Sequence, residues 1–183
     1  MLDVLTAALS NPPSAAEIRA QTAEIHALVV RESKWMDAAN FTAFHPADLR
    51  RLFDEYDRRF FDGGCREALG ECRLTFRISR RLTSTAGLTT CRKPRNGSPQ
   101  SFDIAMSSTL LFQTFAADDH RAIEVNGLTC RDRLEAMQRV FEHELVHLIE
   151  MLVWDTSNCA AGRFQSIVAS HFGHTDYRHR LIT

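Results

Sequence analysis

Phe141-Glu142-His143-Glu144-Leu145-Val146-His147-Leu148-Ile149 lies inside a segment, Asp132 to Trp154, whose apolar residues recur close to every 3.6 positions: Leu134, Met137, Val140, Phe141, Leu145, Leu148, Ile149 and Leu152. That period predicts one long, largely buried helix. On it His143 and His147 stand one turn apart on the same face, so both imidazoles reach a single ion. Zinc takes ~2.0–2.1 Å to each nitrogen, and the spacing permits it. Glu144 follows the first histidine, where it lies beside the ion without ligating it and serves as general base on a zinc-bound water. Two histidines and two glutamates buried together are costly without a metal or dedicated partners, so the helix reads as half of a zinc site.

A catalytic zinc takes a third protein ligand and keeps a position open. The donors lie beyond the helix, after a break at Asp155-Thr156-Ser157-Asn158. Cys159 follows that break at the head of the next helical segment, Gly162 to His171, and His174 follows Phe172-Gly173 at its end. His171, His179, Asp155 and Asp176 complete the set. Spacing leaves Cys159 and His174 open as alternatives. Were both to ligate beside His143 and His147, the site would be closed and structural, and Glu144 would have no catalytic part.

Upstream, the first 45 residues read as a helical extension. Ser14-Ala15-Ala16-Glu17 fits a capping box after Pro12-Pro13, and Ile18, Ile25, Leu28 and Val29 form one stripe. A second helix is expected from Pro46-Ala47-Asp48, with Leu49, Leu52, Phe53, Tyr56 and Phe60 on one face and Asp62-Gly63-Gly64 ending it. Cys72 to Ser79 alternates, with Leu74, Phe76 and Ile78 on one side, and predicts a strand. Thr85 to Cys91 and Ser101 to Met106 predict two more, joined by turn chemistry from Arg92 to Pro99. Leu110 to Phe115 fits helix or strand, and Ile123-Glu124-Val125 before Asn126-Gly127 predicts a short strand entering a tight turn. Helices, then strands, then helices define an α+β domain over residues 46–183 with a small antiparallel sheet.

Composition narrows the class. The formal net charge is −1, so no global field draws the chain to nucleic acid or an anionic membrane. No apolar run approaches the roughly 18 residues of a membrane helix, and the N-terminus lacks a secretory pattern, so no membrane role is expected. Cys65, Cys72, Cys91, Cys130 and Cys159 are odd in number and scattered, which argues against a disulfide framework and for a reducing cytoplasm. The cations are 20 Arg against Lys34 and Lys93. Arg77, Arg80 and Arg81, with Arg92, Lys93 and Arg95, form a local cluster able to follow phosphates, though such clusters are more often solvated faces.

Taken together, Leu52-Phe53-Asp54-Glu55-Tyr56, Arg59-Phe60-Phe61, Leu74 to Ile78, Thr85-Ala86-Gly87, Phe102-Asp103-Ile104 with Ser107, and Phe141 to His147 resemble the SprT-like metallopeptidase family over residues 47–174. The resemblance implies a zincin-like fold in which a short antiparallel sheet packs on the histidine helix and an edge strand lines the cleft, with zinc on His143 and His147, and Glu144 as base. It also implies, through the family's Spartan-type members, action on DNA-associated proteins. The family's third ligand is a histidine in an H-G-x-x-F pattern. This chain departs from it with Ser157-Asn158-Cys159-Ala160-Ala161-Gly162-Arg163-Phe164, where Cys159 is the nearest donor and Phe164 keeps the aromatic.

Two functions follow as expectations. The first is a zinc metallopeptidase taking a protein or peptide substrate as an added strand along the Phe102–Met106 edge, with His179 or Tyr177 steadying the oxyanion. The second is a non-catalytic, zinc-stabilised module that binds protein or nucleic acid. An open coordination position would separate them.

Overall fold

The computed structural model describes residues 2–94, 99–115 and 121–177. Helices α1 (Asp3–Ser10), α2 (Ala15–Glu32), α3 (Pro46–Phe60) and α4 (Gly64–Leu69) lead into strands β1 (Arg73–Ser79), β2 (Gly87–Arg92) and β3 (Ser101–Ser107). Then follow α5 (Ser108–Gln113), the hairpin β4 (Ile123–Val125) and β5 (Leu128–Cys130), and helices α6 (Arg133–Trp154) and α7 (Gly162–Phe172). The α+β reading therefore holds, and α6 is the expected histidine helix.

The helix starts follow local chemistry. Ser14 and Glu17 form the expected reciprocal cap on α2. His45 and Asp48 do the same for α3, with Pro46 in its first turn. Asp132 caps α6, accepting the Glu135 amide at 2.8 Å, and its two carboxylate oxygens each lie 3.1 Å from His26 Nε2, which ties α2 to the start of α6. The Asp62-Gly63-Gly64 stretch does more than end α3. Gly63, at φ +79, turns the chain, and the buried Asp57 carboxylate accepts the Cys65 and Arg66 amides to start α4.

The sheet departs from expectation in direction. Its strand order is β1-β3-β2, with β1 parallel to β3 and β2 antiparallel to it. After β1 the chain crosses the end of β3 and descends as the far edge. The crossing is pinned by Ser107 Oγ donating to the Leu82 carbonyl at 2.6 Å, the Ser107 amide donating to Ala86 at 2.8 Å, and Thr109 Oγ1 donating to Arg80 at 3.0 Å. Alternating residues report which face is buried and are blind to the direction of the partner strand. The same crossing makes β3 central, so Phe102–Met106 is not an edge; β2 is.

One sheet face, with Phe76, Phe102, Ile104 and Met106, enters a single core shared with α3, α6 and α7. That core extends into the N-terminal helices, where Leu5, Ile25 and Val29 are fully buried. An ideal Cβ on Gly64 would lie 2.7 Å from the Leu5 backbone nitrogen, so α1 rests directly on the start of α4. At the other end, the Thr175 and Asp176 amides donate to the Asn126 carbonyl at 3.1 and 3.2 Å, strapping the chain after α7 over the β4–β5 turn.

Candidate metal centre

The α6 sequence buries His143 and Glu144 completely or nearly so, at 0% and 1% exposure. The Nε2 atoms of His143 and His147 are 3.1 Å apart. Asp155, at φ +60, reverses the chain past the end of α6 and brings back Cys159. One donor atom each from His143, His147 and Cys159 then lies within 4.8 Å of the others. The donor set fits zinc. Two imidazoles and a thiolate are its preferred ligands, and ligands at ~2.0–2.1 Å in a tetrahedron sit about 3.3 Å apart, close to the observed nitrogen separation. Phe164 closes the side of the cluster, its ring 4.6 Å from that of His143 and 4.5 Å from that of His147.

Glu144 points toward β2. Thr89 Oγ1 lies 2.7 Å from its Oε2 and 3.0 Å from its backbone carbonyl. Burial pushes the Glu144 carboxyl up to about 8, against the opposing effect of the Thr89 hydrogen bonds. Gly87 faces it so closely that an ideal Cβ there would lie 2.6 Å from Glu144 Cγ. Neither Thr89 nor Gly87 was singled out in the sequence as part of the site. A polar residue and a glycine on the core face of a strand are the signal that could have found them.

His174, the alternative third ligand, goes elsewhere. It is buried, and its Nε2 lies 2.7 Å from Glu142 Oε2, away from the cluster. Glu142 also contacts Arg139 Nη1 at 2.8 Å and accepts the Tyr56 hydroxyl at 2.6 Å, and Gln138 Nε2 donates to Tyr56 at 3.1 Å. Burial opposes the charge on Glu142, but Arg139, His174 and Tyr56 outweigh it and hold the carboxyl below its usual range. The second glutamate of the motif thus anchors the segment after α7 rather than serving the metal cluster. His171 is also drawn off: it stacks on Phe61, with ring centroids 5.5 Å apart, and its Nε2 lies 3.3 Å from the Ala8 carbonyl. Tyr177 is half-buried against the core, and His179 lies outside the described residues.

Behind the cluster, Ser157 Oγ lies 2.6 Å from His147 Nδ1 and donates to Glu150 Oε2 at 2.7 Å. Glu150 is fully buried and also accepts from the Asn158 amide and Arg163 Nε. An acid one turn past His147, on the same side of α6 as the two histidines, was a visible but unused sign of this arrangement.

A metal-capable cluster on a helix facing a small sheet agrees with comparison to known proteins. The profile of the SprT-like family matches residues 49–167, well over half of the chain, and the protein belongs to that family. No curated protein and no solved structure gave a match.

Proposed function

We propose that this protein is a zinc-dependent metallopeptidase. The observation that carries the reading is the convergence of His143, His147 and Cys159 beside a buried Glu144 at the edge strand β2. Zinc would be held by the two imidazoles and the Cys159 thiolate. Bound there, it supplies Lewis-acid polarisation of a scissile carbonyl and makes water more acidic. Among the described residues the cluster offers three donors and His174 is held by Glu142, which favours a catalytic site over a closed structural one.

The chain's own groups do the rest. Glu144 takes a proton from the attacking water and returns it to the departing amine. A carboxyl raised toward neutrality by burial suits both transfers. Thr89 keeps that carboxylate beside β2. The outer edge of β2 pairs with no other strand among the described residues, so an extended peptide can add to it by main-chain hydrogen bonds.

The test is Glu144→Gln in the full chain, assayed on an unfolded protein substrate. The variant should keep stoichiometric zinc and lose about 10²-fold or more in rate, the scale of general acid–base catalysis. Wild-type protein that takes up no zinc, or a variant as active as wild type, would sink the reading.

Association with nucleic acid belongs to the same proposal. Arg73, Arg77 and Arg92 lie on the solvent face of the sheet, opposite the core. Arg77 Nε is engaged by Asp103, at 2.7 and 2.8 Å from its two oxygens, which leaves Arg73 and Arg92 as the stronger candidates for phosphate contact. A reducing, cytoplasmic setting is supported by the five unbridged cysteines.

A further inference from the structure

Glu150 follows His147 by one turn of α6, and its side chain is 0% exposed. Its Oε2 accepts Ser157 Oγ at 2.7 Å and the Asn158 amide at 3.1 Å, while Oε1 accepts Arg163 Nε at 2.8 Å. Arg163 in turn lies over the Trp154 ring, 4.2 Å from its centroid. The carboxylate thus gathers the end of α6, the reversal after it and the start of α7.

Proton counting gives this arrangement a chemical consequence. A serine hydroxyl has one proton, and a carboxylate paired with a guanidinium only accepts. The Ser157 proton is therefore directed to Glu150. In the 2.6 Å contact with His147 Nδ1, Ser157 Oγ must be the acceptor and the imidazole the donor. His147 is then the Nδ1–H tautomer, with its lone pair on Nε2. That is the atom lying 3.1 Å from His143 Nε2 in the cluster with Cys159. The same carboxylate holds the Asn158 amide, one residue before the thiol.

We propose that Glu150, acting through Ser157, is the positioning residue of the metal centre: it fixes the ligating tautomer of His147 and the backbone that delivers Cys159. The inference rests on the metal-site reading above but is tested apart from it. The experiment uses full-length protein with 15N-labelled histidine, in wild type, Ser157→Ala, Ser157→Thr and Glu150→Gln. Imidazole nitrogen shifts are read without metal, and zinc affinity is read by competition with a chromogenic chelator.

Wild-type His147 should be the Nδ1–H tautomer. Ser157→Ala and Glu150→Gln should mix the tautomers and weaken zinc binding about 10–100-fold, the usual cost of losing an outer partner of a metal-ligating histidine. Ser157→Thr, which keeps the hydroxyl, should restore both. Should Glu150→Gln fail to fold, the two serine variants decide alone. A wild-type Nε2–H tautomer, or a Ser157→Ala protein with unchanged tautomer and unchanged zinc affinity, overturns the inference. If wild type bound no zinc, the peptidase reading would fail, while the metal-free tautomer would still decide the relay.

Discussion

At the scale of single residues, position 87 is constrained by its neighbour rather than by its own backbone. Any side chain on Gly87 would meet Glu144 at 2.6–2.8 Å. Gly87→Ala should therefore turn the Glu144 carboxylate away from its place beside Thr89. We expect kcat on an unfolded protein substrate to fall at least about 10-fold, with zinc content unchanged and a stability loss of about 1–3 kcal/mol, the range for overpacking. Assaying kcat and bound zinc on the same preparation checks this; loss of zinc in proportion to activity would place the damage at the ligands instead. The third donor could not be sorted from the sequence at this scale. Cys159 and His174 both follow the helix at workable distances. What separates them is Glu142, which takes His174 as a partner and leaves the thiol to the cluster.

At the scale of elements, what the sequence revealed was whatever depends on neighbours along the chain. Helices α2 and α3 were marked by their start signals and an apolar stripe, α6 by its apolar period, β1 by alternation, and β2 and β3 by the turn chemistry between them. What it concealed depends on partners far away: the parallel pairing of β1 with β3, the central place of β3, and the short α4 that starts on Asp57. The α6 start makes a prediction of its own. Burial opposes the charge on Asp132, but hydrogen bonds from His26 and the Glu135 and Leu134 amides hold its carboxyl below the usual range. A group depressed in this way adds stability that is present above its unfolded value of about 3.9 and is lost as pH falls through the lower folded value. Asp132→Ala should lower stability near pH 7 by about 0.5–2 kcal/mol, the worth of an N-cap. The gap from wild type should close in strong acid. Denaturant melts at several pH values measure it, and a gap independent of pH would refute the assignment.

At the scale of the whole molecule, the charge is close to balanced, yet the two faces of the sheet differ: one enters the core, while the other carries Arg73, Arg77 and Arg92. If that outer face follows phosphates, the double variant Arg73→Ala with Arg92→Ala should weaken DNA binding and reduce the salt slope by about 2, one unit per lost contact. Proteolysis of a free peptide should be untouched. An unchanged slope would remove the sheet face from consideration.

The strand order also sets a sequence of events in time. Strands β2 and β3 are consecutive and antiparallel, so they can zip as a hairpin from a nearby loop. Strand β1 joins β3 only across a register offset that sets Arg73 opposite Ser101, and the apolar face of all three lacks cover until α6 arrives from residues 133–154. Ordering the intervening chain costs entropy before those distant contacts form. Refolding followed by pulsed hydrogen exchange should therefore protect the amides between β2 and β3 first, and those between β1 and β3 only together with α6. The candidate metal ligands sit on the late-arriving helix and the reversal after it, so the cluster is assembled at the end of folding rather than seeding it.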